Sequence, residues 1–234
     1  MALANGQVES YHAMLAATLV APGHAMSREP LGSRALPLMP EFIAPQDGAE
    51  KQDCERNAAR RWLAAHGGRV KALRPVYLGD DLFACQPTAE AITAAGGDFL
   101  LTAKPASHKA LYDFMQGAEF DEHTVTQRTN GKRLTYRYRW FEDAPLRDGQ
   151  DAMLVNWVGV TIADAKGHVT YDNAFVTSLP VTRDTAAEIV ACPGPGGRSN
   201  QEVRPRSRTK ASTSSSPTAT TSSTTSATAS RTSP

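Results

Sequence analysis

Cysteine, long apolar runs and aromatic side chains are all scarce in this sequence of 234 residues. Its three cysteines lie far apart and form no Cys-x-x-Cys pair, which argues against a disulfide framework and favours a reducing compartment. No apolar run approaches the roughly 20 residues that a membrane-spanning helix needs. The first residues also lack the charged and apolar segments of a signal peptide. We therefore expect a cytoplasmic protein.

The sequence also lacks the common catalytic signatures. It contains no Gly-x-Ser-x-Gly elbow, no phosphate-binding loop and no His-Glu-x-x-His motif. Its six histidines are scattered along the chain, so surface or capping roles are favoured over metal ligation. An intact hydrolase of one of those kinds is therefore the least favoured class of function.

The last part of the chain, residues 193–234, differs in composition from the rest. It consists almost entirely of Pro, Gly, Ser, Thr, Ala and Arg, with no aromatic residue and with Val203 as its only large aliphatic one. Such a segment cannot bury a core, so we expect a disordered, low-complexity tail. Six basic residues and one acidic residue give this tail a net charge of +5, which leaves −4 on residues 1–192. A mildly acidic body would contact nucleic acid only through local patches.

An apolar strand followed by two aspartates is the most informative stretch of the body. Residues 74–78 predict a short buried strand, Gly79 lets the chain turn, and Asp80 and Asp81 follow directly. The carboxyl end of a strand is where open α/β sheets carry their chemistry. The alternative is that both aspartates are ordinary turn and capping residues.

Predicted helices and strands alternate around this stretch. The apolar patterns predict a buried strand over 11–20, helices over 50–65 and 88–95, a strand over 98–103 that ends at Lys104, and a helix capped by Ser107. This order predicts an α/β fold with a parallel sheet and crossover connections.

From about residue 120 to residue 180 the pattern changes to that of antiparallel strands. Asn130-Gly131 is a favoured hairpin turn, and the strand after it alternates aromatic residues with Arg137 and Arg139. Two further strands are predicted over 152–163 and 169–178, and a capped helix begins at residue 182. The body therefore contains a β-rich insertion before its last helix.

This arrangement resembles the RNase H-like core of a DDE transposase of the bacterial insertion-sequence type. The similarity lies in Gly-Asp80-Asp81-Leu-Phe83, the strand ending Thr-Ala-Lys104-Pro, the β-rich insertion and the final helix. The stretches 11–23, 38–48 and 132–141 are also similar to one such transposase family, so the resemblance covers residues 5–192. It implies a mixed sheet core, DNA as the partner at transposon ends and target, and no membrane, and it allows a homo-oligomer.

The resemblance also implies a metal site. Transposition by these enzymes uses two divalent cations between carboxylates, one to activate the attacking oxygen and one to stabilise the leaving oxygen. Mg²⁺ is the expected cofactor because it prefers oxygen ligands. Asp80 matches the second catalytic aspartate, in the pattern Asp-x-x-Phe with Phe83 as the aromatic residue. Asp81 is the neighbouring carboxylate and a second candidate metal ligand.

Two of the three carboxylates that the family needs have no counterpart in this sequence. The first aspartate and its strand would lie before Met1, and the final glutamate would follow Cys192 in a Trp-Lys-Ile-Glu type of sequence. Codons for residues 196–200 and 217–230 permit that motif and the family's closing motif in a shifted frame, so we interpret the tail as out of frame. We therefore expect a truncated, frameshifted and catalytically inactive fragment, because one carboxylate does not hold two Mg²⁺ ions.

A second hypothesis is a non-catalytic DNA-binding or regulatory fragment. Its phosphate contacts would come from Lys104, Lys109, Arg133, Arg137 and Arg139. The competing interpretation, which the acidic body favours, is that these cations form solvated faces and that the aromatic residues between them form core. The basic tail would add non-specific DNA affinity that falls steeply with salt.

Overall fold

The computed structural model describes residues 12–20, 35–44, 54–129, 131–191 and 222–226. The strands are β1 (His12–Ala16), β2 (Thr18–Val20), β3 (Ala35–Pro37), β4 (Glu41–Ile43), β5 (Val76–Gly79), β6 (Asp98–Thr102), β7 (Asp121–Thr129), β8 (Lys132–Pro145), β9 (Leu154–Ala163), β10 (Val169–Thr177) and β11 (Ser222–Ser226). The helices are α1 (Glu55–Trp62), α2 (Gly68–Val70), α3 (Gln86–Ala94), α4 (Lys109–Phe114) and α5 (Ala186–Ala191). None of the helices in these ranges is long and apolar enough to cross a membrane.

A six-stranded mixed sheet, in the order β5-β6-β10-β9-β8-β7, forms the centre of the protein. β5 and β6 run parallel because α3 connects them as a crossover, and each later pair is antiparallel. The predicted mixed α/β class is therefore confirmed. The prediction of a parallel sheet holds only for β5 and β6. Strands β7 to β10 follow one another through short connections, which favour antiparallel pairing, and β10 then pairs antiparallel with β6.

The sheet separates two apolar layers, as the alternation of side chains along β6 shows. Phe99 and Leu101 point into the larger layer, which α1, α3 and α4 cover. Leu100 points the opposite way and packs in the smaller layer with Val158 of β9 and Ile189 of α5. Both faces of β6 are therefore buried, which fixes its carboxyl end firmly in the sheet.

The N-terminal strands form two small separate sheets. β1 pairs with β4 and β11, whereas β2 pairs with β3. The prediction of one buried strand over residues 11–20 is therefore wrong. The chain changes partners at Ala17, whose carbonyl accepts a hydrogen bond from the Leu38 backbone N–H, and only Leu15 and Ala17 are buried among residues 13–20. A continuous apolar run specifies burial but not which neighbour each residue pairs with.

The helical path that begins with α1 continues past its predicted end at residue 65. A π-helical turn (Leu63–Gly67), α2 and a 3₁₀ turn (Lys71–Leu73) extend it to Arg74, which has φ 49°. Gly67 does not stop the helix but allows a close approach, because a Cβ there would lie 2.7 Å from the Cβ of Ala95. The predicted start, residues 50–53, lies outside the described residues.

The predicted β-hairpin is confirmed. β7 and β8 pair in antiparallel register around the turn at Gly131, which has φ 78°. Tyr138 and Trp140 are buried, and Arg137 on the other face is exposed, as the alternation predicted. The insertion also includes β9 and β10, and it separates α4 from α5 in the chain.

One segment of the C-terminal tail departs from the expected disorder. β11, which consists of serine and threonine, pairs along its whole length with β1. Backbone groups alone can form such a pairing, because the edge of a strand presents unpaired N–H and C=O groups to any extended segment. Residues 193–221 and 227–234 lie outside the described residues.

Candidate carboxylate site at the ends of two parallel strands

Asp80, Asp81 and Lys104 lie just beyond the carboxyl ends of β5 and β6. Because these strands are parallel and adjacent, both ends meet at the same edge of the sheet. The predicted order of strand, aspartates and helix is confirmed, although β5 is half-buried rather than buried. The sequence therefore placed the aspartates correctly in the fold.

Asp80 presents its carboxylate to solvent from a tight turn. Its Oδ1 accepts a hydrogen bond of 3.0 Å from the Leu82 backbone N–H, and its carbonyl accepts one of 3.1 Å from Phe83. The Phe83 ring is buried, so it anchors the turn in the core. Within the described residues no donor contacts Oδ2 of Asp80, which leaves an exposed oxygen that a cation could bind.

Asp81 uses both carboxylate oxygens to hold the loop after β6. Oδ1 accepts a hydrogen bond of 2.7 Å from the Lys104 backbone N–H, and Oδ2 accepts one from the Ser107 hydroxyl. The buried Nε2 of His108 lies 3.3 Å from Oδ1, within ion-pair distance but without the alignment of a hydrogen bond. Asp81 therefore links the end of β5 to the segment that leads into α4.

The contributions of Ser107 and His108 to this site were not predicted from the sequence. Ser107 was predicted to cap the helix through Met115, but α4 begins at Lys109 after His108, and the Ser107 hydroxyl turns to Asp81 instead. A serine before a helix is the usual signal for a cap. Nothing local in the sequence indicated that a carboxylate 26 positions earlier would accept a hydrogen bond from its hydroxyl.

The cations predicted to contact DNA occupy two separate places. Lys104 and Lys109 are exposed beside the Asp81 loop, and Arg133, Arg137 and Arg139 lie on β8. Arg137 forms an ion pair of 2.6 Å with Glu122 on β7. The guanidinium of Arg139 stacks 4.2 Å above the Phe120 ring. Arg133 is exposed, and no carboxylate in the described ranges pairs with it.

Tyr112 connects α4 and the end of β6 to the sheet. Its hydroxyl donates a hydrogen bond of 2.7 Å to the Ala103 carbonyl and accepts one of 3.2 Å from Nε1 of Trp157. Burial raises the pKa of Tyr112, the charges of Asp172 and Asp81 raise it further, and the bond from Trp157 lowers it in part. The phenol therefore stays neutral as a structural link beside the carboxylates.

We expect alkaline pH to destabilise the fold through its buried tyrosines. Burial raises the pKa of Tyr77, Tyr112, Tyr138 and Tyr171 above the ordinary value of 10.0. Because the folded state holds these protons more tightly, their contribution to stability is complete below about pH 10 and is lost as the pH rises through the folded pKa values. Tyrosinate absorbance should show midpoints above those of the urea-unfolded chain. Coincident midpoints would contradict this expectation.

The metal-binding prediction concerns Asp80 and Asp81, and it stays a prediction. Across the described ranges no three His, Cys, Asp or Glu side chains converge as a ready set of metal ligands. Asp80 offers an exposed oxygen of the kind that Mg²⁺ prefers. Asp81 offers oxygens that already accept hydrogen bonds. The side chains present therefore fit a Mg²⁺ ion that is bound by one protein carboxylate, that of Asp80, and not a full set of protein ligands.

Of the predicted site residues, the structure brings Asp81 and Lys104 into direct contact and places Asp80 beside them. The arginines on β8 lie elsewhere, because β10 and β9 separate β8 from β6 in the sheet.

In comparisons with known proteins, no protein-family model matched the chain, and neither did any curated protein.

Proposed function

We propose that this chain carries part of the catalytic core of a DDE-type transposase, with Asp80 as one metal-binding carboxylate and DNA as the partner. The observation that supports it best is the position of Asp80, exposed directly after β5 at the edge where the parallel strand β6 also ends. The mixed sheet and the antiparallel strands inserted before α5 are compatible with an RNase H-like core.

In this proposal Asp80 and Asp81 have different roles. Asp80 binds a divalent cation, which when bound would polarise a phosphate oxygen of DNA. Asp81 is a positioning residue, because both of its carboxylate oxygens already accept hydrogen bonds that hold the loop after β6. By holding the Lys104 backbone N–H as well, Asp81 fixes the β6 loop beside Asp80.

We further propose that the chain by itself does not cleave DNA. Two-metal phosphoryl transfer needs carboxylates from several elements to clamp both cations. A single carboxylate leaves Mg²⁺ with most of its water shell, and such sites are normally completed by further carboxylates and substrate phosphates. Asp80 would therefore hold one cation weakly and would not set up the reaction.

Metal binding at Asp80 can be tested with Mn²⁺ as a paramagnetic probe in place of Mg²⁺. We expect Mn²⁺ to broaden the amide NMR signals of residues 79–83 selectively, because the cation would sit within a few ångströms of them. Asp80→Asn should abolish this broadening, since it removes the charge and keeps the shape. Asp184→Asn, at another exposed carboxylate, should leave it unchanged. Equal broadening in Asp80→Asn would contradict the metal site.

Cleavage is tested separately with supercoiled plasmid and Mg²⁺. We expect no nicked product from the chain, and the same result from Asp80→Asn. Nicking that requires Mg²⁺ and disappears in Asp80→Asn would overturn the proposed inactivity while it supported the metal site.

A second candidate function, DNA binding without catalysis, is favoured by the charge of the hairpin. From Asp121 to Pro145 the hairpin contains five basic and four acidic residues, and the acidic ones lie only at its base, so residues 123–141 carry all five basic residues and no Asp or Glu. Phosphate contacts of this kind need no metal ion. DNA binding in the presence of a chelator, unchanged in Asp80→Asn and without any Mn²⁺ broadening, would place this function first.

A further inference from the structure

The end of the β7–β8 hairpin projects beyond the rest of the sheet. β9 pairs with β8 only as far as Thr135, opposite Ala163. Beyond that pair, the hairpin continues as a two-stranded ribbon to the turn at Gly131. Three exposed cations, which we call the basic tip, lie on this ribbon: Arg128, Lys132 and Arg133.

The charges of the basic tip are not balanced within the described part of the protein. Arg128 and Arg133 lie directly opposite each other, an arrangement of like charges that destabilises a strand pair. No ion pair with a described carboxylate relieves this repulsion. On the same strand, by contrast, Arg137 has its ion pair with Glu122 and Arg139 has its ring contact with Phe120.

The acidic residue of the neighbouring β9–β10 turn, Asp164, is already engaged in that turn. Its Oδ1 accepts hydrogen bonds from the backbone N–H groups of Lys166 and His168. Its Oδ2 lies 3.4 Å from the imidazole of His168. The basic tip therefore keeps its positive charge available to an external anion.

We propose that the basic tip binds the phosphate backbone of double-stranded DNA. Arg128 and Arg133 share one face of the ribbon and Lys132 lies on the other, so the tip can contact phosphates on both sides of a groove. The major groove of B-form DNA is about 12 Å wide and admits a two-stranded ribbon. The major groove of double-stranded RNA is too narrow and deep for this. Guanidinium groups suit phosphate because they donate paired hydrogen bonds.

In the free protein, Arg128 and Arg133 repel each other. A bound polyanion such as the DNA backbone offsets this repulsion, which favours binding. Of the five DNA-contact residues predicted from the sequence, only Arg133 belongs to the basic tip. Arg128 and Lys132 are DNA-contact residues that the sequence did not indicate. The inference rests on the proposed function, since DNA is the partner there, but it needs no metal ion.

The test measures binding of the full chain to a short fluorescent DNA duplex in EDTA, between about 50 and 200 mM salt. The tip variant combines Arg128→Gln, Lys132→Gln and Arg133→Gln. A charge-matched control combines Arg69→Gln, Lys71→Gln and Arg183→Gln, at three exposed cations away from the hairpin and its neighbouring turn. The basic tail is present in every protein, so its contribution cancels.

The slope of log K against log salt is negative. For the tip variant we expect its magnitude to decrease by about 0.9 for each lost phosphate contact, and thus by roughly 2 to 3. The control should change the slope by less than about 1. Arg137→Gln should also leave it nearly unchanged, because that side chain is paired with Glu122. Equal slope changes in tip variant and control would overturn the proposal.

Two further outcomes complete the test. Equal affinity for a double-stranded RNA of the same sequence would overturn the assignment to the DNA groove. If the triple variant lacks a cooperative thermal transition, the single variant Lys132→Glu replaces it, and an unchanged salt slope there would also overturn the proposal. Mn²⁺ broadening around Asp80, measured in the same variants, keeps the two proposals apart. An unchanged salt slope with retained broadening would overturn the tip proposal and leave the metal site standing.

Discussion

Replacing Phe99 by alanine is expected to destabilise the protein by about 3–5 kcal/mol, the usual cost of deleting a fully buried phenyl ring. Phe99 has 0% exposure at the centre of β6, in the layer covered by α1, α3 and α4. Its carbonyl accepts a hydrogen bond of 2.6 Å from the buried Thr177 hydroxyl. Because β5 and β10 hold the backbone on both sides, little collapse can fill the cavity.

Urea unfolding of the full chain measures this loss. The matched control is Leu154→Ala on β9, where the side chain is 58% exposed and the expected change lies within about 0.5 kcal/mol. A similar loss in both variants would mean that β6 is not the centre of the core. Because β6 carries Lys104 at its end, Phe99→Ala should also weaken the contact between Lys104 and Asp81.

The second large effect is expected at Asp81. Asp81→Ala removes the acceptor of the Lys104 N–H and of the Ser107 hydroxyl, and it leaves the buried Nε2 of His108 beside an empty space. Loss of hydrogen bonds to a charged group costs about 1–3 kcal/mol. The lower half of that range applies, because Lys104 and Ser107 are exposed and water can replace part of the loss.

Asp80→Ala is the matched control, since it removes a neighbouring carboxylate that caps only an exposed turn. We expect it to cost less than about 1 kcal/mol. Hydrogen exchange of the Lys104 amide should accelerate in Asp81→Ala and not in Asp80→Ala. Asp81→Asn, which keeps an oxygen acceptor, should restore part of the protection. Equal destabilisation by both alanine variants would contradict the division of roles between the two aspartates.

The sequence alone determined the elements whose pattern is local. Asn130-Gly131 specifies a hairpin, because few residue pairs adopt the positive φ angles of a two-residue turn. Alternation along the following strand separated buried Tyr138 and Trp140 from exposed Arg137, since side chains of a strand point to opposite faces. In the same way, Gly79 after an apolar strand located the turn that carries Asp80.

Pairing between distant segments was not determined in this way. The run over residues 11–20 is mostly apolar and contains no Gly or Pro, so nothing in it indicated a break at Ala17 between two different sheets. Two consecutive glycines usually end a helix, yet the helical path continues through Gly67 and Gly68, and Gly67 makes a close contact with Ala95. Each of these outcomes depends on a neighbour that lies far away in the sequence.

The roles of the charged side chains were likewise decided by the tertiary structure. Asp80 and Asp81 are chemically identical neighbours, and only the approach of Ser107 and Lys104 makes Asp81 structural and leaves Asp80 exposed. Arg133 and Arg137 lie on the same face of β8 and are both exposed. Only Glu122 on the facing strand distinguishes Arg137, which has an ion pair, from Arg133, which pairs with no described carboxylate. Local periodicity fixes the direction in which a side chain points, whereas its partner is fixed by the packing of segments that the chain brings together only on folding.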